Sequence, residues 1–131
     1  MTRLPITIAA IALCVSLIGC GAETPAGSGF QVTGHAHAGP TCPVVHNPPD
    51  PACDDRPVVG ASLAIIDAGG REVTVVETDV RGIFEATLPA GRYTLVPQPV
   101  EGLMGTAPSQ DFTLGDGPAV VLDVAYDTGI R

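Results

Sequence analysis

Five side chains able to bind a metal or exchange electrons crowd into one short stretch: His35, His37, Cys42, His46 and Cys53. His35 and His37 stand two apart, so a β-strand would present both on one face. With His46 as a third imidazole they could ligate copper or zinc. The other reading puts them on the solvent face of an edge strand, where polar side chains discourage sheet-to-sheet aggregation. Cys42 and Cys53 bracket ten residues, PVVHNPPDPA, of which Pro43, Pro48, Pro49 and Pro51 are proline. A catalytic redox pair favours the much closer C-x-x-C spacing. A structural zinc site wants four ligands, and Cys42, His46 and Cys53 supply three. A disulfide needs only proximity and an oxidising compartment. Asp50, Asp54 and Asp55 add carboxylates nearby. Calcium takes six to eight oxygens from a patterned loop, and no D-x-D-x-D-G run is present, so these read as solvated loop charges.

The compartment follows from the N-terminus, MTRLPITIAAIALCVSLIGC. Arg3 precedes an uncharged run from Leu4 to Ile18. A membrane span needs about 20 apolar residues, so the run suits the hydrophobic part of a signal peptide better. Its end, Leu17-Ile18-Gly19-Cys20, resembles the bacterial lipobox. The resemblance implies removal of residues 1–19 and a diacylglycerol on Cys20. Export then favours a Cys42–Cys53 disulfide, since Cys14 leaves with the signal and Cys20 carries lipid. The loop it closes is worth roughly 3 kcal/mol by chain entropy, less whatever its prolines already remove from the unfolded state.

After cleavage the chain would carry five Arg against fourteen Asp plus Glu, a net of 5 − 14 = −9. Such a surface is poorly suited to neutralising phosphates, which disfavours nucleic acid as a partner. Contact with the membrane is expected through the lipid alone, several acyl chains holding far better than one. The chain has no lysine and no tryptophan, and five Phe and Tyr residues in all. A small core consumes most of those rings, leaving few as stacking platforms.

These residues need elements to position them. Residues 20–29 read as a lipidated flexible tether, with a reach of roughly 15–20 Å. From Phe30 the pattern alternates with period two, which predicts a half-buried strand over 30–38. Further strands are expected over 59–66, 71–78, 83–88, 92–97, 110–114 and 119–125, each bounded by Gly, Pro or Asp turn signals. Ala61, Leu63 and Ile65 share one face, and Phe84 points inward. Seven short strands without helical periodicity predict an all-β sandwich over 30–131.

Within it, Val58 to Ala61 (VVGA), Thr78 to Phe84 (TDVRGIF) and Leu88 to Leu95 (LPAGRYTL) resemble the carboxypeptidase regulatory-like, prealbumin-like sandwich family. The resemblance covers about 58–97 well and specifies fold more than function. It implies positive φ at Gly82 and Gly91 and a buried Tyr93 whose hydroxyl bonds to nearby backbone, as at a tyrosine corner. The chemistry of relatives does not carry over. Collagen-adhesin B-type domains form an isopeptide bond from lysine, which is absent here. The transthyretin-like hydroxyisourate hydrolases end in Tyr-Arg-Gly-Ser, whereas Tyr126 is followed by Asp127 and Thr128. Intradiol dioxygenases hold iron with two Tyr and two His, and this chain is short for such an enzyme. Ser62 and Ser109 lack any nucleophile context. No catalytic constellation and no cofactor is expected.

The expected protein is thus a lipid-anchored, extracytoplasmic Ig-like (prealbumin-like) sandwich that acts as a binding or structural module, with a protein or another cell-envelope component as its partner. If successive strands reverse direction, the two long loops, 39–57 and 98–109, fall at the membrane-distal end. Long loops in compact domains are usually functional. The expected binding surface is His46, Asp50, Glu101, Leu103 and Met104, the other reading being that Leu103 and Met104 fold back to cap the sandwich. The alternative is a metal-handling protein built on His35, His37 and His46.

Overall fold

The computed structural model describes residues 29–131. The signal peptide, Cys20 and all of the tether except Gly29 lie outside them. Eight strands follow in order: β1 Phe30–Gly39, β2 Arg56–Pro57, β3 Ser62–Asp67, β4 Glu72–Glu77, β5 Ile83–Leu88, β6 Gly91–Pro97, β7 Gln110–Leu114 and β8 Val120–Asp127. The one strand not anticipated is β2. Its two residues pair with His37 and Ala38, too short a ladder to leave a periodic trace. Among the described residues no helix is long and apolar enough to cross a membrane.

The strands form two four-stranded sheets. One runs β4-β3-β6-β7, antiparallel throughout. The other is built around β1. Along one of its edges β8 runs parallel, from Val32↔Val120 to Gly39↔Asp127. The opposite edge is shared, β5 lying antiparallel to Phe30–His35 and β2 to His37 and Ala38. So β1 is the central strand of its sheet and not an edge strand. His35 and His37 lie on the outer surface of that sheet, and the aggregation argument for them falls away.

Alternation dictates the core. Val32, Ala36 and Ala38 of β1 turn inward, against Leu63 and Ile65 of β3 and Leu95 of β6. Leu122, Val124 and Tyr126 of β8 complete that layer. Gly34 lies in the same inward row. A methyl group there would strike the Phe84 ring and the Leu122 carbonyl, so its bareness lets Phe84 lie across the sheet and bury to 2% exposure. Tyr93 stacks on Phe112 at 5.6 Å and donates its hydroxyl to the Pro89 carbonyl at 2.8 Å. This is the corner bond that the sequence resemblance implied.

Two aspartates build the turns at β3–β4 and β4–β5. Asp67 accepts from the Gly69 and Arg71 N–H groups, and Asp79 from those of Arg81 and Ile83. These bonds favour the ionised form. The Arg71 N–H holds Asp67 below the usual carboxylate range, and the Ile83 N–H does the same for Asp79.

Candidate functional site

The β1–β2 loop and the β6–β7 loop meet at one end of the sandwich, opposite Phe30. Together with the segment after β8 they enclose a groove of about 420 Å3, lined by Ala38, Thr41, Arg56, Val59, Glu101 and Leu103. Thr128 and Ile130 close its side. Four separate stretches of chain, 38–41, 56–59, 100–103 and 128–130, therefore build it. The β6–β7 loop is tied to the end of β8 by the Met104 N–H, which donates to the Asp127 carbonyl at 2.8 Å. The segment after β8 is tied to the end of β1 by the Thr128 N–H, which donates to the Gly39 carbonyl at 3.2 Å, and by the Thr128 hydroxyl on the Pro40 carbonyl. Below it, the Tyr126 hydroxyl donates to the Gln98 carbonyl at 3.0 Å. Burial pushes that phenol up from its ordinary pKa.

The five residues expected to form one surface are divided. Glu101 and Leu103 line the groove, but Leu103 is half-buried and packs against the core instead of standing out. Met104 is 59% exposed and lies against Gly129. His46 and Asp50 line a separate, shallower depression in the stapled loop, beside Val44 and Val45. Arg56 and Val59, both exposed, were not anticipated in the groove. The signal for Val59, which is 57% exposed, was a β-branched residue just ahead of Gly60.

The stapled loop is well braced. Cys42 and Cys53 are joined by a disulfide with their Cα atoms 5.3 Å apart, ordinary geometry for such a bond. Asp50 caps the short turn Pro51–Cys53, its carboxylate accepting from the Ala52 N–H at 2.9 Å. The Asp50 carbonyl accepts from the Cys53 N–H at 2.9 Å. The Thr41 hydroxyl crosses the loop to the Asp54 carbonyl at 3.2 Å.

The histidines are dispersed into two settings. His35 and His37 stack, centroids 5.6 Å apart. His37 Nδ1 lies 2.7 Å from Asp55 and Nε2 lies 3.1 Å from Asp123, so both ring nitrogens are taken by carboxylates. His46 instead joins Cys42 and Cys53. Among the described residues, this is the group of potential ligand atoms that converges, all within 4.8 Å of one another.

His37 holds the loop return, at Asp55, against β8, at Asp123. Its partial burial lowers the imidazole pKa, but the hydrogen bonds and charges of Asp123 and Asp55 outweigh that, and the pKa rises above the ordinary 6.5. The sign follows by linkage. A raised folded-state pKa gives stability that is fully present below the unfolded value of about 6.5. That stability is lost as pH rises through the folded value. His37→Ala should therefore destabilise the domain by about 1–2 kcal/mol near pH 5.5, the two carboxylates being largely exposed, and by less above neutrality. Urea unfolding of both proteins across that pH range checks this. A difference independent of pH would refute the clamp.

No protein-family model matches the chain, and no curated protein matches it either. Solved structures do. The shaft pilin spaA of Lactobacillus rhamnosus GG superposes with a TM-score of 0.58 at 11% identity, over 75% of this chain and 49% of its own. The minor pilin GBS52 of Streptococcus agalactiae gives 0.57 at 14% identity, over 76% and 44%. The major pilin subunit of Bacillus cereus gives 0.57 at 15% identity, over 75% and 28%. The match thus spans less than half the length of each of these pilins. At such identities the likeness is one of fold. The chain is an all-β, two-sheet sandwich of the Ig-like, prealbumin-like kind, with eight strands where seven were expected.

Proposed function

We propose that the chain is a lipid-anchored, extracytoplasmic member of the carboxypeptidase regulatory-like sandwiches. It acts as a structural or binding module of the cell envelope through its membrane-distal loops, and it is not an enzyme. The observation that carries this reading is the groove at the end opposite Phe30. A tether entering β1 at Phe30 turns that groove away from the membrane. Apolar walls from Ala38, Val59 and Leu103, with one cation and one anion at Arg56 and Glu101, suit an exposed segment of another envelope protein. The acidity of the chain disfavours nucleic acid. The lack of lysine removes the internal isopeptide bond as a source of cross-linking within the domain.

The test has two arms. For the anchor, Cys20→Ser should move the protein to the soluble fraction or leave residues 1–19 attached. Unchanged partitioning with unchanged mass would sink that half. For the groove, a photo-crosslinker placed at Val59 in intact cells should capture a discrete protein. Arg56→Ala and Glu101→Ala, both at exposed lining positions, should cut that capture at least several-fold while circular dichroism stays unchanged. Capture that survives both substitutions would refute the groove.

A further inference from the structure

The convergence of Cys42, His46 and Cys53 has a use that the groove does not require. We infer that opening the Cys42–Cys53 disulfide converts the stapled loop into a three-coordinate site for a soft monovalent metal ion, Cu(I), with His46 as the third ligand. The donor atoms already lie within 4.8 Å of one another. They face a depression of about 210 Å3. His46 is exposed and both cysteines are half-buried, so a reductant and an ion can reach them.

The loop keeps its shape without the sulfur bridge. The Thr41 hydroxyl on the Asp54 carbonyl clamps the residues flanking the two cysteines. The Asp50 cap and the Cys53 N–H on the Asp50 carbonyl fix the turn that carries Cys53. Pro43, Pro48, Pro49 and Pro51 restrict the chain between. The two thiols therefore stay neighbours after reduction.

The donor set selects the metal. Two thiolates and one imidazole are soft ligands that suit Cu(I) or zinc. Structural zinc is almost always four-coordinate, and no fourth Cys, His, Asp or Glu converges with these three among the described residues. Cu(I) is content with three.

The steps balance. An external dithiol exchanges with the Cys42–Cys53 bond and becomes a disulfide itself. Its two electrons and two protons pass to the protein, leaving two thiols. Cu(I) then displaces both protons to solvent as the thiolates bind, with no change in its oxidation state. Reoxidation by an external disulfide, which accepts the two electrons, takes two protons from solvent and is cleaved to two thiols, re-forms the staple and expels the ion, so holding metal and holding the staple exclude each other.

The test uses the full chain in detergent, with Cys14→Ser and Cys20→Ser so that no other thiol competes. The protein is reduced with dithiothreitol, freed of it under nitrogen, and titrated with Cu(I) against bicinchoninate. The reduced protein should take up one equivalent and the oxidised protein none. His46→Ala, at an exposed position, should weaken binding at least tenfold. Cys42→Ser should abolish it, and the far-ultraviolet circular dichroism of the reduced chain should match the oxidised. Equal competition by reduced and oxidised protein would overturn the site. So would an unchanged affinity in His46→Ala, or loss of sheet on reduction.

Discussion

Replacing Gly82 by alanine should cost this domain about 2–5 kcal/mol, the sum of a left-handed backbone and a collision. Gly82 has φ of +75°. A methyl group there would drive into the Ala36 carbonyl oxygen and lie 3.1 Å from Pro57 and 3.3 Å from His35 Nε2. The carbonyl is main chain in the central strand and cannot swing aside. Gly82 also accepts from the Ala36 N–H at 2.7 Å, so relief of the clash strains a ladder bond as well. Gly60 is the matched control, with φ of +68° and open space around it. Gly60→Ala should cost only about 1 kcal/mol. Urea midpoints of the two variants separate collision from conformation. Equal losses would show that Gly82 is needed for its dihedral angle alone.

Thr78→Val should cost about 2–4 kcal/mol although it keeps the shape of the side chain. Thr78 is 5% exposed. Its hydroxyl accepts from the Ala61 N–H at 2.8 Å and donates to the Val58 carbonyl at 2.5 Å. Valine leaves both backbone groups without a partner, and Ala61 is fully buried, so water cannot replace the bond. Thr78→Ser retains the hydroxyl and should recover most of the loss, short of the missing methyl. A valine variant as stable as the wild type would mean that the segment before β3 can rotate to find other partners. Both positions lie in the run TDVRGIF, so a motif that resembles a family signature is here a pair of buried backbone solutions.

Most of the fold was legible because its signals are local. Alternation marked most of the long strands, and Gly, Pro and Asp turn signals marked where they stop. Tyr93 could be assigned its corner because its partner, Pro89, is four residues away. What escaped depends on pairings remote in sequence. Placing β1 at an edge was wrong because β8 returns beside it from some ninety residues downstream, in a parallel register no local pattern announces. With that register known, His35↔Asp123 and His37↔Ala125 become neighbours, and the clamp on His37 could have been foreseen. The groove escaped for the same reason, since Arg56, Val59, Thr128 and Ile130 come from segments with no shared motif. The cysteine pair was the reverse case. Spacing left three chemistries open, and the compartment argument, not the geometry, chose between them.

The parallel pairing of the first and last strands also decides how the domain bears a pull. Phe30 opens β1 at one end of the sandwich, and Asp127 closes β8 at the other. Tension drawn between those two points acts along the paired strands and not across them. Their ladder runs through eight residue pairs, Val32↔Val120 to Gly39↔Asp127, and the evenly spaced, slanted bonds of a parallel pair are loaded together in shear. An antiparallel hairpin pulled from its open end surrenders its bonds one at a time. A sandwich fastened at one pole and gripped at the other meets force with its whole seam.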